Sequence, residues 1–239
     1  MPSSSGRNYS QCVARAENAA DQHHGYAEII AGGIAKPEDV APFAGKIRTE
    51  AQRLLALIEE IIHLSRLDEG GETVAFEPVE LSALCDTVRD RLQSKAAGKG
   101  IALRIEGEPA AVSGQRRTLE QMIFNLTDNA INYNKPQGSV TLVTGTENGR
   151  PFVQVADTGI GIAPADQQRV FERFYRVDKS HSKMTGGTGL GLSIVKHGAA
   201  LHHAEVELKS TLGEGDLHYL CGFLKNDEWV LTLSWGSKR

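Results

Sequence analysis

The sequence predicts an α+β chain, in which a helical hairpin is followed by a domain of alternating strands and helices. Two observations support this fold class. Apolar residues between Val40 and Leu67 recur at steps of three and four residues, the period of one helical face. Beyond Gly70-Gly71 the pattern changes to short strand-like runs interleaved with helical stretches. The paired glycines are typical of a linker between the two parts.

The N-terminal part is predicted to be a dimerisation hairpin. The segment Gly25 to Ala35 is typical of a helix end that breaks at Gly32-Gly33, and Lys36 to Asp39 forms a turn into the long helix. The apolar stripe of that helix is too wide for so small a hairpin to bury, and a second copy of the chain would cover it in a four-helix bundle. The alternative is that the long helix lies on the chain's own C-terminal domain.

The C-terminal part is predicted to contain an α/β layer. The Asn-Gly pair at positions 148 and 149 is a hairpin signal between two strand-like runs. The predicted strands are Val74–Val79, Ile101–Ile105, Ser139–Thr144, Pro151–Ala156 and Glu205–Lys209. The predicted helices are a stretch of about 15 residues from Leu81, then Arg117–Tyr133 and Leu190–His197.

Composition favours a reducing compartment and argues against a nucleic-acid partner. The formal net charge of −4 provides no general basic field for a polyanion. The three cysteines, Cys12, Cys85 and Cys221, are too few and too scattered for a disulfide framework or a zinc site. No apolar run approaches the roughly 20 residues of a membrane helix, and no apolar signal core follows the N-terminus. We therefore expect a cytoplasmic fragment that makes no membrane contact itself.

Three segments carry groups that suit a metal, phosphate oxygens and a flat ligand. Asn125, Asn129 and Asn132 are four and then three residues apart, so they share one helical face and can present their amides to a metal or phosphates. Asp157 follows a strand and precedes two glycines, which let the backbone approach a flat ligand while the carboxylate accepts from an amino group. The run from Gly186 to Leu192 exposes backbone amides before a helix, a common way to hold phosphates. Each signal alone is weak, because solvated faces, turns and linkers share these patterns.

The combination resembles the superfamily of histidine kinases and gyrase-type ATPases. Residues 125–133 are similar to its N box, the VADTGIGI run at 155–162 to its G1 box, and GGTGLGLSIVK at 186–196 to its G2 box. The segment Phe171 to Asp178 resembles the F box, which indicates sensor histidine kinases in particular. The resemblance spans Gly25 to about Gly215, and the four boxes occur in the family's order.

The resemblance implies an α/β two-layer sandwich that holds ATP and Mg²⁺ under a mobile lid. It implies that Asp157 binds the adenine amino group and that Tyr133 stacks on the ring. Asn125 and Asn129 would surround the Mg²⁺ ion, and Arg176 would reach toward the γ-phosphate. The other residues expected to bind the nucleotide are Asn132, Gly159, Gly161, Ile162, Gly187, Thr188, Gly189, Leu190, Gly191 and Leu192.

Two further features concern the phosphates. The resemblance places the lid from Val177 to Thr188, a polar, glycine-tipped segment of the kind that moves over a bound substrate. Asn132 stands where the family usually carries lysine or arginine. One positive charge that contacts a phosphate in the family therefore has no counterpart at this position.

The motif that carries the phosphoacceptor is missing from the sequence. Histidine kinases have a His-Glu-Leu-Lys-Thr-Pro motif on the first hairpin helix, whose imidazole attacks the γ-phosphate while the glutamate acts as base. Eleven residues before Gly25, where the histidine is expected, the chain has Ala14. His23 and His24 occupy the wrong helical turn and lack the acidic neighbour, so we do not assign them as acceptors.

A local frameshift is our hypothesis for the missing motif. Residues Gln11 to His24 can be back-translated so that dropping one base gives Asn-Val-Ser-His-Glu-Leu-Lys-Thr-Pro-Leu-Thr-Ser-Ile, with the hidden histidine across Ala14 and Arg15. Residues Gly215 to Phe223, shifted likewise, can read Gly-Thr-Ser-Thr-Thr-Phe-Val-Val-Phe, similar to the family's last strand, and we expect an edge strand there. The alternative is that both ends are genuine but divergent.

A few single residues are assigned structural roles. His63 and His197 are expected on helix surfaces, and His202-His203 at the exposed edge of the following strand. Cys85 lies on a predicted helix and is expected in the core. No cysteine or carboxylate spacing predicts a further metal site.

The sequence thus predicts the ATP-binding catalytic portion of a sensor histidine kinase for two-component signal transduction. In such a protein, ATP phosphorylates a hairpin histidine of a homodimer, and the phosphate passes to an aspartate of a response-regulator receiver domain. One alternative is a non-catalytic module that binds ATP and dimerises, because the acceptor is missing. Another is hydrolysis or serine phosphorylation in the manner of gyrase-type ATPases or anti-sigma kinases, which the F box and the long helix disfavour.

The predicted organisation has four parts. They are an aberrant segment at 1–24, the remainder of the dimerisation hairpin at 25–70, the ATP-binding domain at 71–215 and an aberrant tail at 216–239. The intact parent is expected to be anchored in the bacterial inner membrane.

Overall fold

The computed structural model describes residues 25–68, 75–177, 188–213 and 217–223. The frameshift hypothesis at the N-terminus, His23, His24 and most of the predicted lid lie outside these residues. The chain divides into two compact units. Their described parts are 25–63, 173–177 and 188–190 in the first unit, and 64–68, 75–172, 191–213 and 217–223 in the second.

A helical hairpin makes up most of the described first unit. Helix α1 covers residues 25–31 and helix α2 covers Pro37–Asp68, which confirms the predicted long helix. The helix begins within the predicted turn, because proline is favoured in the first turn of a helix and Glu38 and Asp39 suit its N-terminus. Tyr26 of α1 and Phe43 of α2 stack with ring centroids 4.9 Å apart. The Lys46 ammonium lies 5.0 Å from the Tyr26 ring centroid. The aromatic pair and the cation hold the two helices together.

Apolar side chains are exposed along α2. Leu55, Ile58 and Ile62 expose 61%, 51% and 47% of their surface. They are three and four residues apart, so they lie on one helical face. An exposed apolar stripe of this kind is typical of an interaction surface. Among the described helices, none is both long and apolar enough to cross a lipid bilayer.

Seven strands are described in the second unit, and they form two sheets. The strands are β1 Glu77–Glu80, β2 Ala102–Gly107, β3 Ala111–Gly114, β4 Ser139–Glu147, β5 Arg150–Asp157, β6 Ala204–Ser210 and β7 Leu217–Phe223. β1 and β3 form a small antiparallel sheet. The larger sheet has the order β2-β4-β5-β7-β6, in which only β2 and β4 run parallel.

Three helices form a layer against the larger sheet. The helices of the second unit are α3 Leu81–Gly98, α4 Arg116–Asn132, the short α5 Pro164–Gln167, a 3₁₀ turn at Arg169–Phe171, and α6 Gly191–Leu201. α4 packs between α3 and α6, and α3, α4 and α6 contact β2, β5 and β6, respectively. The interface buries large aliphatic side chains, including Leu84, Leu126, Ile131, Leu142 and Ile194. The predicted α+β class is confirmed.

The sheet differs from the prediction at three places. The first strand begins at Glu77, and the two residues before it are not part of a strand. β3 is missed, since four residues that pair only with β1 give little periodic signal. The strand after Gly215 is not an edge strand, because β7 pairs with β5 on one side and with β6 on the other. The expected edge position is therefore wrong.

Cys85 lies in the core, as predicted. Its side chain on α3 is fully buried, and this burial, together with the charge of Asp86, raises the pKa of the thiol to about 12. A thiol with this pKa stays protonated at neutral pH, so Cys85 packs as a small apolar group.

His202 is buried, and its prediction at an exposed strand edge is wrong. It exposes 5% of its surface, and its ring stacks on Phe76 at a centroid distance of 5.1 Å. Nε2 accepts a hydrogen bond from the backbone N–H of Gln115 at 2.9 Å, and Nδ1 lies 2.7 Å from the carbonyl oxygen of Gly198. The ring is therefore neutral with its proton on Nδ1, because an amide N–H can only donate and a carbonyl oxygen can only accept.

Acidification is expected to destabilise the fold through His202. Burial is the main cause that lowers the pKa of this imidazole; the Gly198 carbonyl opposes the shift and His203 adds to it. A histidine whose folded pKa lies below its unfolded value of about 6.5 contributes stability above that pH, and this contribution is lost as the pH falls. We expect the free energy of unfolding, measured with urea, to decrease from about pH 7.5 to about pH 5.5.

The variant His202→Gln should reduce this pH dependence, since a glutamine carbonyl can still accept from Gln115 but does not titrate. The slope of the unmodified chain is the reference. An unchanged slope in His202→Gln would show that other groups govern the pH dependence.

Candidate nucleotide-binding site

Asn125 is a buried residue of α4, so the asparagine row is not merely a solvated polar face. It exposes 6% of its surface. Its Nδ2 donates to the carbonyl oxygen of Gly191 at 3.2 Å, and its Oδ1 accepts from Gln121 Nε2 at 3.0 Å. Asn129, one turn further along the same face, is half-buried. α4 therefore holds the first residue of α6 beside the asparagine row.

Asn132, the last member of the row, is bound to neighbouring side chains. Its Oδ1 accepts from Lys99 Nζ at 2.9 Å, and its Nδ2 donates to Asp128 Oδ2 at 2.8 Å. Lys95 forms an ion pair with the same carboxylate. Burial, and then the charge of Lys95, lowers the pKa of the Lys99 ammonium, while Asp128 opposes the shift. Sequence reasoning missed both lysines, because they lie on or just after α3 and meet α4 only in the folded chain.

Asp157 ends β5 with a buried carboxylate. The residue exposes 4% of its surface, and Oδ1 accepts a hydrogen bond from the backbone N–H of Gly159 at 2.8 Å. Oδ2 is buried as well. A buried carboxylate oxygen is stable only where donors or positive charge surround it. The bond to Gly159 fixes the orientation of the carboxylate, as a group that recognises a ligand requires.

The loop after β5 is held from two sides. The backbone N–H of Ile160 donates to the carbonyl oxygen of Tyr133 at 3.1 Å, at the end of α4. The backbone N–H of Ile162 donates to Ser210 Oγ at 2.7 Å, and Gly213 N–H donates to the Ile160 carbonyl at 3.1 Å. The end of α4 and the segment after β6 thus clamp this loop.

Close backbone packing explains the two glycines of the loop. A Cβ atom at Gly159 would lie 2.6 Å from both Asp157 Oδ1 and the Tyr133 carbonyl oxygen. A Cβ atom at Gly161 would lie 2.2 Å from the Thr211 carbonyl oxygen, and the φ of Gly161 is +67°. Tyr133 exposes 39% of its surface, so its side chain is accessible beside this loop.

The two flanks of the predicted lid belong to the first unit. The backbone N–H of Phe174 donates to the carbonyl oxygen of Gly189 at 2.9 Å, which joins the flanks. Arg176 is half-buried on the N-terminal flank, and its expected role at the γ-phosphate stays a prediction. Gly187 lies outside the described residues.

The C-terminal flank bonds to α2 within the first unit. Thr188 Oγ1 accepts from the backbone N–H of Leu190 at 3.2 Å and donates to Glu60 Oε2 at 2.5 Å. Leu190 is fully buried, while Gly191 and Leu192 begin α6 and are half-buried. Sequence reasoning missed Glu60, because 128 positions separate it from Thr188.

Within the second unit, hydrogen bonds connect the predicted site residues into two groups. One is the asparagine row together with Gly191 at the start of α6. The other is Tyr133 together with Asp157 and the loop up to Ile162. Their individual roles stay predictions.

Residues 114–221 match the family described as Histidine kinase-, DNA gyrase B-, and HSP90-like ATPase. Sensor-like histidine kinase SenX3 of Mycolicibacterium smegmatis is 38% identical over 190 residues, which are 79% of this chain and 50% of that protein. Phosphate regulon sensor protein PhoR of Pseudomonas aeruginosa is 32% identical over 204 residues, 83% of this chain and 45% of that protein. The chain spans about half the length of the curated relatives it matches.

Solved structures share the fold. The Acinetobacter baumannii histidine kinase AdeS superposes with a TM-score of 0.73 over 89% of this chain and 98% of that chain, at 19% identity. ShkA, whose full-length crystal structure is in complex with AMPPNP, has a TM-score of 0.65 over 87% of this chain and 45% of that chain, at 25% identity.

Fold, motif order and relatives agree on an ATP-binding domain of the class that histidine kinases share with DNA gyrase B and HSP90. The chain belongs to the sensor histidine kinases. The family and the ATP-binding domain predicted from the sequence are confirmed.

Proposed function

We propose that this chain binds ATP together with Mg²⁺ and is the phosphoryl-donor portion of a sensor histidine kinase. The observation that carries the proposal is the Asp157 turn, in which a buried carboxylate is fixed by Gly159 beside a glycine-bounded loop. Family membership and the similarity to ShkA, solved in complex with AMPPNP, support it.

The adenine would be recognised at the Asp157 loop. Asp157 accepts a hydrogen bond from the exocyclic amino group, which supplies a donor to a buried carboxylate. The accessible ring of Tyr133 stacks on the base. Gly159, Gly161 and Ile162 form the backbone wall beside the base, and the close packing that the two glycines permit fixes this wall in place.

Asn125 and Asn129 have the donor chemistry that Mg²⁺ requires. Mg²⁺ prefers oxygen ligands and retains several waters, so two side-chain carbonyls and phosphate oxygens suffice on the protein side. Asn125 Oδ1 accepts one hydrogen bond from Gln121 and has a second lone pair, and the bond from Nδ2 to Gly191 orients the amide. When bound, Mg²⁺ neutralises negative charge on the phosphate oxygens.

The phosphates would lie at the start of α6. The backbone amides at the N-terminus of α6 and in the preceding segment are donors for phosphate oxygens, and the helix dipole favours negative charge there. The residues proposed to bind the phosphates here are Thr188, Gly189, Leu190, Gly191 and Leu192, and Gly187 is expected to bind beside Thr188. Asn132 is proposed to bind at the other end of the asparagine row.

In the intact parent, the donor half would transfer the γ-phosphoryl group to a hairpin histidine. A bond from the imidazole nitrogen to the γ-phosphorus forms, the bond to the bridging oxygen breaks, and ADP leaves. Arg176 stabilises negative charge on the γ-phosphate. A response-regulator aspartate then accepts the phosphoryl group.

The missing phosphoacceptor motif favours a second candidate function for this chain. It contains no His-Glu-Leu-Lys-Thr-Pro motif, so a module that binds ATP and dimerises without transfer is the alternative.

The test measures ATP binding and phosphoryl transfer separately. We expect a fluorescent ATP analogue to bind the chain in the presence of Mg²⁺ and more weakly in EDTA. Incubation with γ-labelled ATP should leave no acid-labile phosphate on the chain. A variant in which residues 11–23 are replaced by the thirteen residues of the shifted reading, Asn-Val-Ser-His onward, should acquire acid-labile phosphate.

The outcomes separate the candidates. Labelling of the restored variant alone supports a donor half that lacks only its acceptor. ATP binding without labelling of the restored variant favours the non-catalytic module. A chain that does not bind ATP in either form contradicts the proposed site.

We also propose that the hairpin forms a homodimer through the apolar stripe of Leu55, Ile58 and Ile62. Their exposure in the single chain supports a partner helix on this face. A response-regulator receiver domain is the second proposed partner, and we place the chain in the cytoplasm, with its parent anchored in the inner membrane. Sedimentation velocity over a range of protein concentrations tests the dimer, and a monomer at every concentration would contradict it.

A further inference from the structure

Two lysines and one aspartate form a connected cluster beside the last asparagine of α4. Lys99 donates to Asn132 Oδ1 at 2.9 Å, and Asn132 donates to Asp128 Oδ2 at 2.8 Å. Lys95 pairs with the other oxygen of Asp128. Two positive charges and one negative charge leave the cluster with a net positive charge.

The excess positive charge resides on Lys99. Lys95 has a carboxylate partner in direct contact, whereas the hydrogen-bond acceptor of Lys99 is a neutral amide. An ammonium has three N–H donors, and Asn132 takes one of them. Lys99 is an exposed residue, but partial desolvation of its ammonium, and then the charge of Lys95, disfavour its charged form and lower its pKa. An anion near this ammonium would offset both effects.

The cluster adjoins the row that is assigned to Mg²⁺ and phosphate. Asn132 follows Asn129 by three residues, and side chains at this spacing have Cβ atoms about 5–6 Å apart on one face of a helix. Asn132 is fixed by its two hydrogen bonds, so it holds the Lys99 ammonium at the end of the row. A flexible four-carbon stem lets that ammonium follow a bound anion.

We propose that Lys99 determines the preference of this site for nucleotides with a long phosphate chain. The inference rests on the proposed nucleotide site. Held by Asn132, Lys99 supplies positive charge to the phosphate chain of ATP and contributes less to ADP and least to AMP. Sequence reasoning placed no positive charge at this end of the row, and the fold brings one from the end of α3.

The experiment compares three nucleotides in the Lys99→Met variant of the full chain. ATP, ADP and AMP compete with a fluorescent ATP analogue in the presence of Mg²⁺. Loss of one nearby charge should weaken the binding of ATP by about five- to tenfold, that of ADP by less, and that of AMP by less than about twofold. The salt dependence of ATP binding should also decrease, because fewer charges are paired in the complex.

Three variants control for a merely structural effect. Lys99→Arg keeps the charge and should retain most of the ATP affinity. Lys209→Met removes an exposed ammonium that pairs with Glu207 on β6 at 3.2 Å and should leave the nucleotide series unchanged. Adding Asn132→Lys to Lys99→Met puts a charge directly on α4 and should restore the preference for ATP, even where the single variant lowers stability.

The outcomes distinguish the inference from the site on which it rests. No ATP binding by the unmodified chain contradicts the proposed site. Normal ATP binding with an unchanged ATP:AMP ratio in Lys99→Met overturns the role of Lys99 and leaves the site intact. An equal loss for all three nucleotides, unrelieved by Asn132→Lys, overturns it as well and indicates a structural role.

Discussion

Replacement of Asp157 by asparagine is expected to weaken ATP binding by at least about 100-fold, because the new buried NH₂ group would face another hydrogen-bond donor. The side chain keeps its size, so the fold has no steric reason to change. Its carboxylate oxygen accepts from Gly159 N–H at 2.8 Å, and the proposed function directs the other oxygen to the adenine amino group. In an asparagine, one of the two positions is an NH₂ group. In one orientation of the amide this NH₂ group faces the N–H of Gly159, and in the other it faces the adenine amino group.

Isothermal titration with ATP and Mg²⁺ measures this effect. Asp90→Asn is the matched control, since it makes the same chemical change on the exposed face of α3 and should bind as the unmodified chain does. Urea unfolding of Asp157→Asn establishes that the variant is folded. A folded Asp157→Asn that binds ATP within about threefold of the unmodified chain would remove Asp157 from adenine recognition.

Local sequence signals predicted the elements that position the site. The Asn-Gly signal fixes the hairpin between β4 and β5, and Asn148 and Gly149 both adopt positive φ values, 52° and 76°, as the favoured two-residue turn requires. The helical period that includes Asn125 and Asn129 gives α4 with its asparagine face. Both signals involve residues within a few positions of one another, so they can be recognised from the amino-acid sequence alone.

Features that depend on distant neighbours were not predictable. His202 is followed by a strand, and the pattern alone places it at that strand's edge. Its burial results from Gln115 and Phe76, which approach it only in the fold. Lys99 likewise gives no local sign that its ammonium will reach Asn132. Side-chain partners of this kind are set by packing between elements, which composition and periodicity do not record.

The largest effect on stability is expected at Gly161, where a methyl group would enter the backbone of another segment. A Cβ atom at this position lies 2.2 Å from the carbonyl oxygen and 2.8 Å from the carbonyl carbon of Thr211. The φ of +67° is itself costly for any residue with a side chain. Backbone atoms cannot rotate away as a flexible side chain can, so the loop after β5 or the exit of β6 must move.

Gly161→Ala should lower the free energy of unfolding by about 2–5 kcal/mol, as the sum of left-handed strain and overpacking. Gly149→Ala separates the two contributions, because its φ is also positive, at +76°, yet no atom lies within 4 Å of the position that its methyl group would occupy. That control should cost about 1–2 kcal/mol and leave ATP affinity unchanged. Urea unfolding measures both variants. Equal destabilisation would show that strain alone acts at Gly161, whereas a larger loss accompanied by weaker ATP binding ties the packing of this loop to the nucleotide site.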